Sequence, residues 1–426
     1  MKRRDFIKSV AIGSAVAAAS RATHAAAGCY SRPMLLDPRR TKTVFISDLH
    51  MNADYASSWL KENATFLADF LVTLNTRSDV AELVILGDML DQWITATDDP
   101  PPTFGAIISA EHNLEIVEAL QALCTNPAIR VSYVTGNHDL LSWQGDNPLV
   151  IADTFPGMTI YSQNPGIGEY TRDNILWAEH GHRYTLFNAP DIWSHSGSHL
   201  PLGFFISRLV ASLSQDTGMI YTTPDVLELL SRQTIATLNQ GRALEQRYPM
   251  SPAVKGNFDD ALIVAIFNAI ARFSGKTSQD EFVMNALDGF DPDPSVAEVS
   301  DTYATILSDW PVNQNRVAKE MALWNELGYM INTANLLFKM PSSLKPYYPF
   351  TPRIVLFGHT HKALLSYSPL QRTIYANTGT WIDGKPMTWV EVDIRDVWPC
   401  KRSYGVSLWQ YGSSAPKQTA SILSPR

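Results

Sequence analysis

Five apolar runs, each closed by a short polar motif, constrain this chain more than any other feature. Val44-Phe45-Ile46 leads into Asp48-Leu49-His50, and Leu83-Val84-Ile85-Leu86 into Gly87-Asp88-Met89-Leu90-Asp91. Val131-Ser132-Tyr133-Val134 leads into Gly136-Asn137-His138-Asp139, Ile175-Leu176-Trp177-Ala178 into His180-Gly181-His182, and Ile354-Val355-Leu356-Phe357 into Gly358-His359-Thr360-His361. Runs this short and this rich in β-branched and aromatic residues suit strands buried on both faces. Between the first two, Asp54 to Leu74 sets Trp59, Leu60, Phe66, Leu67, Phe70 and Leu71 at helical spacing. Glu111 to Cys124 repeats the pattern with Leu114, Ile116, Val117, Leu120 and Leu123. Strand, helix, strand, helix, strand predicts right-handed crossovers and a parallel α/β sheet. Ligands of such sheets gather beyond the carboxyl ends of the strands, where all five motifs sit.

The motifs supply carboxylates, imidazoles and one amide, a set that suits hard-to-borderline divalent cations. A lone His near an apolar strand is usually a satisfied core polar residue. Six of the ten histidines fall inside these ordered motifs, which that bland reading does not explain. His112 opens an amphipathic helical pattern and is read as a spectator.

The ordered set DxH, GDxxD, GNHD, H and GHxH resembles the signature of the calcineurin-like metallophosphoesterase family at every motif. The resemblance implies a four-layer α/β/β/α sandwich holding two divalent ions (Mn, Fe, Zn or Mg) about 3.5–4 Å apart. It implies that Asp88 bridges them, that Asp48, His50 and His361 complete one shell, and that Asn137, His180 and His359 complete the other. It makes His138 the group that protonates the leaving oxygen, with Asp91 orienting its imidazole. The nucleophile it implies is a metal-bridging hydroxide attacking in line, so Ser47 and Ser142 are read as local hydrogen bonders. Residues two apart share one face of a strand, so the D-x-H and H-x-H pairs are expected to converge on the metals. His182 is either a neighbour of substrate or metal shell or a spectator. Trp93 after GDMLDQ, and Asn377 in the segment Asn377-Thr378-Gly379-Thr380-Trp381, resemble the UDP-2,3-diacylglucosamine hydrolase branch and are expected at the substrate. The amino-terminal signal and the long insertion are unlike that branch, so the expected substrate stays broad: a phosphate mono- or diester, such as a phospholipid or nucleotide. The alternative is a non-catalytic metal- or lipid-binding protein on the same fold; loss of His138 or Asp88 would favour it, and both are present.

The ends and the middle have their own composition. Residues 1–27 carry Arg3-Arg4 before a weakly apolar stretch too short to span a bilayer, resembling a twin-arginine signal peptide and so predicting the export machinery as partner and a periplasmic location. Ala26-Ala27-Gly28-Cys29 resembles a weak lipoprotein box, leaving Cys29 either lipidated, the chain's sole expected tie to a membrane, or unpaired or in a disulfide. Cys124 and Cys400 could pair, or Cys124 could be a core residue. The net charge of −8 argues against a nucleic-acid partner held electrostatically. In the 426-residue chain the phosphoesterase core is expected at 40–199 and 350–398. The stretch between, 200–349, reads as a helical cap with helices at Leu200–Leu213, Pro224–Gln246, Asp259–Phe273, Asp280–Leu287 and Val317–Phe338. Ala261 to Ile270 is either a buried cap helix or an acyl-chain surface. His195 and His199 stand at the cap hinge and are expected at the substrate; the cap either selects the substrate or serves stability. Thr373–Ala376 and Met387–Asp393 predict two more strands, and 399–426 reads as a tail, mobile from Ser413.

Overall fold

The first apolar run forms strand β1 (Lys42–Ile46), followed by helix α1 (Asn63–Thr76), β2 (Val80–Leu86), the short α2 (Phe104–Ser109), α3 (Leu114–Thr125), β3 (Arg130–Val134), α4 (Asn147–Thr154) and β4 (Thr159–Tyr161). The computed structural model describes residues 39–185, 187–221, 226, 252–306, 352–369, 372–397 and 401–425. β1 to β4 pair in parallel as the alternation predicted. A second set follows: β5 (Tyr170–Arg172), β6 (Leu176–Ala178), the cap helices α5 (Leu202–Thr217), α6 (Pro252–Phe273) and α7 (Val296–Thr302), then β7 (Ile354–Phe357), β8 (Leu364–Ser368), β9 (Thr373–Asn377), β10 (Thr388–Val397), β11 (Lys401–Gln410) and β12 (Gln418–Pro425). One sheet has seven strands in the order β12-β11-β10-β1-β2-β3-β4, the other five in the order β5-β6-β7-β9-β8.

Strand alternation distributes the core. Val44, Ile46, Leu83 and Ile85 pack with α1 and α3 residues such as Leu67, Leu71, Ile116 and Leu120. Phe45, Val84 and Leu86 point the other way, into one cluster with Leu176, Leu356 and Ala376 of the second sheet. On that sheet's far face Val355, Phe357 and Tyr375 gather with Tyr184 of the single turn His182–Tyr184. The result is a mixed α/β fold of two stacked sheets with helices, as the motifs implied.

Two expectations need correcting. The segment 399–426 is not a tail: β11 and β12 complete the larger sheet, and Tyr404, Val406, Leu408 and Ile422 bury one face of them in the inter-sheet core. Their period-two pattern was the available signal. Asp280–Leu287 is not a helix either. Phe282 N donates to Pro294 O and Met284 N to the Asp293 carboxylate, while Asn285 and Ala286 take positive φ that no helix admits. The helix falls later, at α7, where Ser295 and Glu298 form a reciprocal capping box.

The cap is seated on the core by apolar contact. One cluster runs from Trp93, Leu140 and Leu141, beside the motif loops, into Leu202, Phe204 and Phe205 of α5 and on to α6 and α7. Ile263, Ile266, Phe267 and Ile270 are buried there, so Ala261 to Ile270 is a packed cap helix. No helix among the described residues is long and apolar enough to cross a membrane. Residues 1–38, with the signal segment and Cys29, lie outside the described residues, as do Cys400 and nearly all of the stretches expected as helices at 224–246 and 317–338. Cys124 is half-buried and forms no disulfide among the described residues.

Candidate metal centre

Each motif leaves its strand by abandoning strand geometry. Asp48, His50, Asp88, His359 and His361 all take positive φ, between 51° and 66°, and make up five of the twelve such non-glycine residues described. A left-handed non-glycine residue costs of the order of 1–3 kcal/mol and persists where the surroundings over-determine it. β1 ends at Ile46, so two left-handed residues, rather than the expected strand alternation, turn Asp48 and His50 towards one point. The turn is pinned to its neighbour: Asp48 N donates to Gly87 O, and Leu49 N and His50 N both donate to Asp88 O. Asp139 ties a second pair of loops, accepting from Met89 N, Leu90 N and Gly136 N. The motif glycines leave room for the ligands: a Cβ on Gly87 would stand 2.6 Å from the His180 ring, and one on Gly136 would collide with the Asp88 carboxylate.

The donors then fall into two groups. Donor atoms of Asp48, His50, Asp88 and His361 lie within 4.8 Å of one another, and so do those of Asp88, His180 and His359. Asp88 belongs to both. His361 Nε2 is 3.2 Å from Asp48 Oδ1, and His180 Nε2 is 3.1 Å from Asp88 Oδ2. Asn137 Oδ1 stands 3.1 Å from the same His180 nitrogen, joining the second group.

Proton bookkeeping tests whether cations fit. His180 Nδ1 is 2.7 Å from the Leu86 carbonyl, which can only accept, so Nδ1 carries the hydrogen and a neutral ring has a lone pair on Nε2. That lone pair faces Asp88 Oδ2 and Asn137 Oδ1, both acceptors. His50 repeats the pattern, with Nδ1 held by Asp91 at 2.7 Å and Nε2 3.1 Å from His361 Nε2. Buried acceptors that face acceptors call for positive charge between them. Burial opposes a charge on His180, yet the Asp88 carboxylate pushes its pKa up to about 9. Burial likewise works against the Asp88 charge, and the histidines around it, His180 foremost, hold it well below the usual carboxylate range. The same demand for charge fits these donors to divalent metal, with the Nδ1 partners fixing ring orientation.

Residues 41–227 match the calcineurin-like phosphoesterase family model. His359 and His361 lie beyond that match and join the two donor groups from the end of β7. No curated protein matches the chain. Among solved structures it is similar to a predicted phosphoesterase from Streptococcus pneumoniae TIGR4, at 11% identity over 90% of this chain and 98% of that one, with a TM-score of 0.26. It is similar to phosphopantetheinyl hydrolase from Mycobacterium tuberculosis, at 11% identity over 81% and 91%, with a TM-score of 0.28. A third is a nuclease from Pseudomonas putida, at 20% identity over 34% and 55%, with a TM-score of 0.21. Scores at this level carry no structural argument; the domain match and the ligand geometry do.

Within the matched region, Asp91 grips two rings at once. Its Oδ1 is 2.9 Å from His138 Nδ1 and its Oδ2 is 2.7 Å from His50 Nδ1. Burial pushes against the Asp91 charge, and His138 and His50 hold its pKa far down. Burial also opposes a charge on His138, while Asp91 and Asp88 raise its pKa above the usual value. His138 Nε2 makes no hydrogen bond among the described residues.

The residues expected at the substrate are placed differently from the ligands. His182 is buried, gives Nε2 to Gly166 O at 2.9 Å, and joins neither donor group; burial and His180 push its pKa down to about 3. Asn377 is buried with its amide spent on Gly358 O and Gly379 N, which locks the loop carrying His359 and His361. Trp93 is 1% exposed and stacks on the His138 ring at 4.7 Å. His199 is held by the Asp288 carboxylate and His195 stacks on Phe290, so both serve the cap joint rather than the donor groups. Sequence reasoning missed three contributors. Thr185 Oγ1 and Asn188 Nδ2 stand 3.2 Å and 3.4 Å from His359 Nε2. Trp59 packs against the rings of His50, His138 and His361 at 4.9, 5.7 and 6.0 Å. Trp59 was visible only as one apolar position among many, and Thr185 and Asn188 carry no motif.

Proposed function

We propose that this chain is a two-metal phosphoesterase that hydrolyses phosphate mono- or diesters, with His138 as the general acid. One observation carries the reading: a single carboxylate, Asp88, is common to two donor groups, and the same carboxylate accepts the His138 backbone N–H at 2.8 Å. The acid candidate is thereby fixed beside the shared ligand. When bound, two divalent ions would polarise the phosphoryl oxygens and bring the pKa of an attacking water towards neutrality.

The chain's own groups do the remaining work. Asp91 accepts the Nδ1 hydrogen of His138, which leaves Nε2 to hold the proton passed to the leaving oxygen. Trp59 and Trp93 wall the imidazoles and keep water away from their faces. Ser47 bonds Asp48 and Thr378, and Ser142 bonds Thr135 and Ser162, so neither hydroxyl is needed as a nucleophile. The substrate class we favour is an extracytoplasmic phosphate ester, a phospholipid or a nucleotide, with export resting on the sequence of residues 1–27. The resemblance of Trp93 and Asn377 to the diacylglucosamine hydrolase branch is better explained by packing, since both side chains are buried behind the site loops.

The test adds Mn2+ to apo-protein and assays p-nitrophenyl phosphate against bis-p-nitrophenyl phosphate. Turnover of either, abolished by chelation, supports the reading and separates monoesterase from diesterase. Bound metal with no turnover of either ester would leave a non-catalytic metal-binding protein.

A further inference from the structure

His138 is fixed on every side but one. Asp91 holds Nδ1, the His50 ring meets it edge-on at 4.6 Å, and Trp93 stacks on one face at 4.7 Å with an interplanar angle of 29°. Trp93 is itself backed by the cap: Phe204 of α5 presents its edge to the indole at 5.9 Å and 87°. One helical turn further on, Arg208 donates to the carbonyls of Thr95, Ala96, Thr97 and Asp99, the loop that directly follows Trp93. The first cap helix therefore grips both the indole and its loop.

We infer that α5 of the cap is a positioning element for the proton-transfer step, acting through the stack Phe204–Trp93–His138. This rests on the proposal that His138 is the general acid. Physically, an imidazole held at one nitrogen can still swing about that hydrogen bond; a stacked indole removes the swing. Trp93 would itself be free to tilt without the Phe204 edge and the Arg208 clamp behind it. Aromatic pairs in such stacked and edge-on arrangements attract one another beyond their burial, which narrows the ring's range of orientations. A displacement of the acid by even about 1 Å costs up to roughly 100-fold in rate. The cap and the acid are thus coupled: what disturbs α5 should change protonation of the leaving group before it changes metal binding. Trp93 and Phe204 are positioning residues and touch no reacting atom.

The experiment uses Mn2+-loaded full-length protein and the variants Trp93→Ala, Trp93→Phe, Phe204→Ala and His138→Gln, with metal content and thermal midpoint recorded for each. Each is assayed on p-nitrophenyl phosphate, whose leaving group needs no proton, and on ethyl phosphate, whose leaving group does. The expected result is a kcat loss of roughly 10- to 100-fold on the ethyl ester and under about threefold on the p-nitrophenyl ester for Trp93→Ala, a smaller loss of the same kind for Phe204→Ala, and recovery in Trp93→Phe. In a His138→Gln background Trp93→Ala should add nothing. Equal losses on both esters, or full additivity with His138→Gln, would overturn the inference while leaving the general acid in place. If His138→Gln itself lowered both esters equally, the general-acid reading would fall first. Should Trp93→Ala not fold, Phe204→Leu decides: an ester-selective loss supports the coupling and a native profile refutes it.

Discussion

Replacing Arg208 gives the sharpest test of how the cap holds the site. The side chain is fully buried, and its guanidinium donates to five backbone carbonyls, those of Thr95, Ala96, Thr97, Asp99 and Val283. No carboxylate forms a salt bridge with it among the described residues, and burial pushes its pKa down to about 9. In Arg208→Ala, Ala96 O still accepts from Asp99 N and Thr97 O from Val283 N. The carbonyls of Thr95, Asp99 and Val283 are left without a donor. Asp99 is exposed and Thr95 and Val283 are only half-buried, so water reaches these carbonyls in part, and at about 1 kcal/mol each the three would cost roughly 3 kcal/mol. Relief of the desolvated charge offsets part of this and the volume left by the side chain adds to it, so a net loss of about 2–3 kcal/mol is expected. Arg208→Lys should recover little, because an ammonium offers three donors from one point where the guanidinium spreads five over a fork. Urea unfolding of the metal-free proteins measures the change free of ligand linkage. A loss under about 1 kcal/mol for Arg208→Ala, or native stability in Arg208→Lys, would refute the reasoning.

Three further outcomes follow from the geometry. His138→Gln should keep its metal and lose roughly 10²–10⁴ in kcat on poor leaving groups; metal analysis beside steady-state kinetics checks both halves. Gly136→Ala should lose stability and bind metal poorly, because its Cβ would meet the Asp88 backbone nitrogen at 2.5 Å as well as the Asp88 carboxylate, and near-native metal content would contradict this. Asp288→Ala should destabilise the protein by roughly 2–3 kcal/mol, read from denaturant midpoints, because that carboxylate accepts from Gln144, Ser198 and the backbone and ring of His199.

Much of the core was legible because two simple signals agree in it. Buried parallel strands leave near-continuous apolar runs, and ligands must follow such strands, so Asp48, Asp88, Asn137 and His180 could be placed from their position after each run. What the sequence hid is of three kinds. The convergence of Asp48 with His50, and of His359 with His361, depends on left-handed backbone, which has no side-chain signature outside glycine. Roles split within a motif were hidden too: Asp91 serves His50 as well as His138, and Trp93 stacks on the His138 ring. Tertiary context also decided the segment from Asp280, where an aspartate and a carbonyl across the loop took the backbone donors that a helix needs. The two C-terminal strands were readable from the alternation of Tyr404, Val406 and Leu408 and were missed because the segment follows the last motif.

On the function proposed, Asp88 is shared by two metal ions on which phosphoester hydrolysis depends. Titrating metal-free protein with Mn2+, with bound metal and p-nitrophenyl ester turnover measured on the same samples, tests it directly. Saturation is expected at about two ions per chain, with activity appearing as the second ion binds and both weakened in Asp88→Asn. Saturation at one ion, or activity that survives complete removal of metal, would contradict it.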